Sequence, residues 1–251
     1  MSRRSGYHIP QSLGYCAKEK SICMDTLFPF NTNEPVNQQI YRLLRKDIVE
    51  CHIPPGKLLS EKEIAARFEV SRQPVREAFI KLAEAGLVQI LPQRGTFVLR
   101  ISAKRVADAR FIRQALECNV VRRAAAERNE QHVLMLEHNL HRQELAAQNR
   151  QMEEFFNLDD DFHRLLTDIA DCALAWDIIE SIKATMDRVR FLSLGEVSPP
   201  QSLINQHYAI FKAIQAGDAD MAETAMREHL QELIYTITPI AERNSDWFED
   251  R

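Results

Sequence analysis

Four side chains far apart in this sequence are of the types that hold a transition-metal ion: Asp159, His163, His207 and His229. Asp159 and His163 are four residues apart, in a run whose apolar positions Phe155, Phe162 and Leu166 share one helical stripe. That spacing puts both on neighbouring turns of one face, able to bind one ion together. His207 falls on the stripe of Leu203, Ile204, Ile210, Phe211 and Ile214, and His229 on that of Ala222, Met226, Leu233 and Ile237. His207 is ten residues before Gly217 and His229 twelve after it. With a turn at Gly217-Asp218 and about 1.5 Å of rise per residue, both stand roughly 15–18 Å above the turn, on facing surfaces. A lone inward histidine is most often a hydrogen-bonded core residue. Three of them with one inward carboxylate in matching register point to a cation, and imidazole plus carboxylate without sulfur suits Zn, Ni, Mn or Fe alike.

Two arginines also fall on inward stripes. Arg113 lies with Val106, Ala109, Leu116, Val120 and Ala124. A permanently charged guanidinium there needs an anion: Asp159, a bound carboxylate, or an internal salt bridge with Glu117 or another acid. Arg190, on the face of Ile182, Met186 and Val189, is a second candidate for holding a bound anion. His138 and His141 have no carboxylate on their apolar stripe and read as surface residues. Signs of catalysis are weak. H-E-x-x-H, P-loop, G-x-S-x-G and G-x-G-x-x-G patterns are absent, and no inward Glu or second carboxylate near the cluster reads as a general base. A metal-dependent enzyme fused to a DNA-binding head is the alternative that this leaves in second place.

Helices must carry these side chains. Ser102 opens a long helix to about Glu127, and Asn129 caps the next. Three more stretches follow, Met152 to Ile169, Ala173 to about Leu194 and Leu203 to Ala216. After Gly217 and Asp218 the chain turns back to about Ala241. Residues 101–243 therefore read as an all-α bundle of roughly six helices. Upstream, Val36 to Cys51 is a first helix with Ile40, Leu44 and Ile48 on one face. Ser60 and Glu63 fit a capping box for a second. Ser71 is placed to cap a third, with Pro74 tolerated in its first turn. Val75, Phe79 and Leu82 then face inward, and Arg72, Gln73 and Arg76 face out. Leu87–Ile90 and Thr96–Leu99 flank the turn Pro92-Gln93-Arg94-Gly95 as a β-hairpin wing. Two short helices across a tight turn, followed by a wing with a basic tip, fit a DNA major groove. Arg and Gln are able to make bidentate bonds to guanine and adenine, Arg94 reaches for a phosphate or the minor groove, and Gly95 permits close backbone approach.

The run from Leu59 to Val98 resembles the N-terminal domain of the GntR family of bacterial transcription regulators. The match lies in Ser60-Glu61-Lys62-Glu63-Ile64-Ala65, in Val70-Ser71-Arg72-Gln73-Pro74-Val75-Arg76-Glu77-Ala78-Phe79 and in Arg94-Gly95-Thr96-Phe97-Val98. Lys62 stands where many members have a DNA-contacting Arg, and Gln73 where Thr is usual; both keep hydrogen-bond donors. The resemblance implies a DNA-contacting set of Lys62, Ser71, Arg72, Gln73, Arg76, Arg94 and Gly95. Farther on, Arg113-x-x-Leu116-Glu117, Asp159-x-x-Phe162-His163, His207…Gly217-Asp218 and Met226-x-x-His229 resemble the helical ligand-binding (FCD) domain of the FadR-type subfamily. That likeness implies that Asp159, His163, His207 and His229 hold a divalent ion which helps bind a small carboxylate effector, with Arg113 and Arg190 as its candidate partners. A two-fold homodimer on a palindromic double-stranded operator is the matching expectation.

Composition agrees. Residues 36–100 hold 11 Lys/Arg against 7 Asp/Glu, whereas residues 101–251 hold 17 against 26, so a basic head precedes an acidic module within a net charge of −4. Such a split suits a DNA reader with a separate control unit. Five scattered cysteines without a C-x-x-C pair argue for a reducing cytoplasm. No apolar run approaches a membrane span and no signal-peptide pattern opens the chain. The expected organisation is a mobile leader at 1–30, a winged helix-turn-helix at 31–100, the helical metal, effector and dimerisation domain at 101–243 and a tail at 244–251.

Overall fold

A computed structural model describes residues 30–194 and 199–249, so the expected leader lies outside the described residues except for Phe30. The chain is mainly α-helical with one small sheet. The head comprises α1 (Val36–Val49), β1 (Leu58–Leu59), α2 (Glu61–Arg67), α3 (Arg72–Glu84), β2 (Val88–Leu91) and β3 (Gly95–Val98). Ile40, Leu44 and Ile48 of α1 meet Ile64 of α2, Val75, Phe79 and Leu82 of α3, and Val88 and Val98 of the wing in one core. Each such side chain contributes about 1.5–3 kcal/mol when fully buried. The wing is larger than the two-stranded hairpin read from the sequence. β3 pairs antiparallel with β2 on one side and with β1 on the other, Leu58 opposite Phe97. The two residues of β1 are too short a run for alternation to reveal.

Helix starts follow local chemistry. Ser60 accepts from Glu63 N at 3.3 Å, Asn129 from His132 N at 2.9 Å and Asp218 from Met221 N at 2.9 Å. Ser71 and Ser102 occupy N-cap positions without a side-chain cap bond, contrary to the sequence reading. For Ser71, Pro74 removes one of the two amides that a cap could use. An N-cap oxygen accepts from the second or third helical residue, and the third here is a proline without an N–H.

The bundle comprises α4 (Ala103–Glu127), α5 (Glu130–Gln148), α6 (Met152–Ile169), α7 (Ala173–Ser193), α8 (Pro200–Ala216) and α9 (Ala219–Arg243). Gly217, at φ +76°, closes α8 in the left-handed conformation that glycine adopts freely, and α9 returns alongside. Phe162 and Leu166 of α6, Val121 and Ala124 of α4, Ile210 and Ile214 of α8 and Met226 of α9 share the main core. After α9 a short 3-10 turn (Ser245–Trp247) brings Phe248 beside Ile101, where Ile101 N donates to Trp247 O at 2.8 Å. No helix among the described residues is long and apolar enough to cross a membrane.

Candidate metal centre and DNA-reading face

Asp159, His163, His207 and His229 converge in the bundle interior, all buried, with one potential ligand atom from each lying within 4.8 Å of every other. α6 supplies Asp159 and His163 from successive turns; α8 and α9 supply His207 and His229 at one level of their hairpin. His163 Nε2 lies 3.2 Å from His229 Nε2, and His207 Nε2 lies 3.4 Å from it. Asp159 Oδ1 is 3.6 Å from His207 Nε2. Phe162 stacks on the His207 ring, centroids 4.5 Å apart and 19° from parallel, which fixes the plane of that imidazole.

The outer edges of the three rings determine where their protons sit. Burial pushes the Glu117 carboxyl up, but Arg113 and His163 outweigh it and hold the group at about 2. An ionised carboxylate only accepts, so His163 Nδ1, 2.5 Å from Glu117 Oε2, carries its ring proton there. Gln143 donates through Nε2 to Asn139 Oδ1 at 2.7 Å, which leaves its Oε1 to accept from His207 Nδ1 at 2.8 Å. Gln206 donates to Glu232 Oε2 and accepts from His229 Nδ1 at 2.8 Å in the same way. Nδ1 of His207 and of His229 is thereby a donor to the surroundings, and Nε2 of each presents a lone pair to the centre, while His163 turns Nδ1 to Glu117 and Nε2 to the same centre. Lone pairs and a carboxylate facing one another at these distances repel. Protonation does not relieve this near neutral pH, because burial pushes His207 down to about 3 and His229 well below its ordinary value. A divalent cation coordinated by all four groups removes the repulsion, so the residues fit such an ion.

The carboxylate of Asp159 is oriented from behind. Arg190 Nη2 binds its Oδ2, leaving Oδ1 toward the imidazoles. Burial alone would raise this carboxyl, but the Arg190 guanidinium against it holds it well below the ordinary range. Arg113 Nε binds Glu117 Oε1, the internal salt bridge that was one of its two sequence readings. Both arginines nevertheless line a cavity of about 60 Å³ that reaches Asp159 and His229, with Phe155 and Leu233 among its apolar walls. Arg110 lines it too, its Nε buried without a hydrogen-bond partner.

On the head, Lys62, Ser71, Arg72, Gln73, Arg76, Arg94 and Gly95 are all exposed. Arg76 makes a bidentate pair with Glu61 (Nε to Oε1 and Nη2 to Oε2, both 3.0 Å), and Gln73 Nε2 donates to Glu77 Oε1 at 2.9 Å. These contacts tie both side chains to acids of the head. Gly95 has a structural reason beyond groove access. It sits at φ +104°, and a Cβ there would come within 2.7 Å of Leu58 Cδ1.

Residues 36–98 match the family "Bacterial regulatory proteins, gntR family", and residues 108–232 match the FCD domain. The HTH-type transcriptional repressor RspR of Escherichia coli (strain K12) is 58% identical over 220 residues, 88% of this chain and 96% of that protein. The chain belongs to the GntR family of bacterial regulators. An HTH-type transcriptional regulator from Streptomyces ambofaciens is 39% identical over 218 residues, 86% of this chain and 92% of that one. Among solved structures, E. coli McbR/YncC superposes with a TM-score of 0.71 at 19% identity, over 84% of this chain and 99% of that one, a likeness of fold. This GntR regulator is a DNA-binding transcription regulator with an FCD effector-binding domain, and not an enzyme.

Its site also contains groups that the sequence did not disclose. Glu117, read from the sequence only as a candidate partner of Arg113, lies 2% exposed beside His163. Glu117 faces the outer edge of that ring and is held by Arg113, so it orients the imidazole and does not face the centre of the cluster. Gln143 and Gln206 carried no signal, since amides on helices are ordinary; only the adjacency of Gln206 to His207 hinted at a shared neighbourhood. Asp187, fully buried on α7, was also missed. Burial pushes its carboxyl up, but Lys183, Arg45 and Arg190 prevail and hold it at about 2.

Proposed function

We propose that this regulator is a homodimeric, cytoplasmic repressor of a catabolic operon, which binds a palindromic operator and senses a small carboxylate or sugar acid at a divalent metal ion. Asp159, His163, His207 and His229 hold the ion. Lys62, Ser71, Arg72, Gln73, Arg76, Arg94 and Gly95 contact DNA. The observation that carries the reading is the convergence of three Nε2 atoms and Asp159 Oδ1 beside an arginine-lined cavity. When bound, the ion supplies a Lewis acid for the effector carboxylate. Arg113 and Arg190 provide the hydrogen-bond donors around that carboxylate, and Arg110, which has no carboxylate partner among the described residues, extends the cationic wall. The cavity has room for a few ordered waters or the acid end of a small ligand.

The zinc, nickel, manganese and iron ions and a panel of small carboxylates and sugar acids, each tested by thermal shift with and without chelator, provide the test. Stabilisation that needs both an ion and one acid is expected, followed by a change in the gel shift of the regulator on its own promoter region. An acid that stabilises the chelated protein equally well would detach the effector from the metal. Absence of any salt-sensitive specific shift would remove the operator from the reading.

A further inference from the structure

Helix α7 touches both halves of the molecule. Ala184 packs into the core of the head, and Arg188 Nη1 donates to Leu99 O at 2.5 Å, where the wing leads into the bundle. Between those two residues, Asp187 binds Arg45 of α1, Oδ2 to Nη2 at 2.8 Å. The same carboxylate receives Lys183 Nζ on Oδ2 at 2.9 Å and Arg190 Nη1 on Oδ1 at 3.0 Å. Arg190 Nη1 also reaches Asp160 Oδ1 at 3.1 Å, and its Nη2 binds Asp159, one of the four converging residues. Lys183 Nζ closes the group on Asp160 Oδ2 at 2.5 Å. Three carboxylates (Asp159, Asp160, Asp187) and three cations (Arg45, Lys183, Arg190) therefore form one continuous network, with the converging histidines at one end and α1 at the other. α1 in turn supports the recognition helix, through Ile40 and Leu44 against Val75 and Phe79 and through Asn37 Nδ2 donating to Glu77 Oε2 at 2.7 Å.

We infer that Arg190 and Asp187 are positioning residues that carry the charge state of the Asp159–histidine centre to Arg45, and so to the seating of α1 and the recognition helix. The network is balanced, so its members compete. A cation beside Asp159 draws on that carboxylate, Arg190 leans more on Asp187, and Asp187 holds Arg45 less. Loss of Arg190 works the other way, because Asp187 then has one fewer cation to share and holds Arg45 more tightly. The exposed pair Lys46–Glu153 also joins α1 to the bundle, but it contacts neither Asp159 nor Arg190 and carries none of this. The inference rests on metal binding at the four residues for its physiological trigger, while the network itself is independent of it.

Hydrogen exchange read by mass spectrometry on the full-length protein tests it, with α1 (Val36–Val49) as the reporter and α5 (Glu130–Gln148) as the reference. Zinc binding is followed separately by competition with a chromophoric chelator. Zinc is expected to speed exchange in α1 by about threefold, the scale of one partly exposed ion pair, and to leave α5 unaffected or slower. Arg45→Gln and Asp187→Asn are expected to bind zinc yet lose the α1 response; Arg45→Gln, at the rim of the network, covers the case in which Asp187→Asn does not fold. Arg190→Gln, which removes no atom that touches α1, is expected to slow α1 exchange in zinc-loaded protein, whereas mere structural damage would speed it. Wild-type α1 that is indifferent to bound zinc, or a response that survives Arg45→Gln, overturns the inference. If wild-type protein binds no zinc, the metal reading falls and the relay is judged on chelated Arg190→Gln alone, where unchanged or faster exchange in α1 overturns it.

Discussion

The buried amide of Gln143 sets the ring of His207, and Gln143→Leu removes it at nearly constant volume. Gln143 is 0% exposed and its Oε1 is the acceptor for His207 Nδ1 at 2.8 Å. Without it the ring proton moves to Nε2 in the metal-free protein, where His229 Nε2 at 3.4 Å and Asp159 Oδ1 at 3.6 Å can accept it. A metal ion can then bind His207 only if the proton returns to a buried Nδ1 with no partner, at a cost of about 1–3 kcal/mol. That corresponds to roughly ten- to hundredfold weaker metal binding, the range for losing an outer partner of a metal-bound histidine. Gln143→Glu keeps an acceptor at the same place and is expected to bind within a few-fold of wild type. Competition with a chromophoric zinc chelator at neutral pH reads all three affinities, and urea denaturation of the chelated proteins separates them from stability. Wild-type zinc affinity in Gln143→Leu would refute the proton assignment at His207, and with it the claim that its Nε2 lone pair faces the centre.

Three further outcomes follow from the same geometry. Phe162 is fully buried against the His207 ring, so Phe162→Ala should lower unfolding stability by about 3–5 kcal/mol; a loss under 1 kcal/mol in urea titrations would mean the stack is loosely packed. Asp187 has a folded value of about 2 against an ordinary 3.8, so its stabilisation is complete above about pH 4 and is lost as pH falls through about 2. That component amounts to about 2 kcal/mol. The stability difference between wild type and Asp187→Asn should therefore shrink by that much from pH 5 to pH 2, and a difference that grows toward acid would contradict the assignment. Arg72→Ala and Arg76→Ala should each weaken binding to the regulator's own promoter region by about 1–3 kcal/mol in gel shifts at fixed salt. Retained affinity in both would move the reading surface away from the start of α3.

The fold was legible because its two periods are. Apolar residues every three or four positions marked each bundle helix to within a few residues, and the Gly217-Asp218 turn carried enough information to place His207 and His229 at one height. Counting along two arms of a hairpin works because a single tight turn leaves no freedom in their relative register. The same counting fails between elements joined by long paths. Arg113 and Arg190 were both read as inward, yet which acid each would meet depends on how α4 and α7 slide against α6. In the structure Arg190 takes Asp159 and Arg113 takes Glu117.

Local chemistry has the opposite character: it is present in the sequence and easy to misweigh. Ser71 lies where a capping serine belongs, but Pro74 three residues later removes one of the two amides it would bind, and its side chain makes no cap bond. Freed from capping, the exposed Ser71 hydroxyl remains available at the very start of the recognition helix, beside Arg72 and Gln73. A proline in the first turn thus does two things at once. It fixes the backbone entry of α3, and it leaves the N-cap side chain to face outward on the surface assigned to DNA. Were capping the serine's role, Ser71→Ala would cost about 1 kcal/mol of stability. The geometry instead expects stability close to wild type and a loss confined to promoter binding.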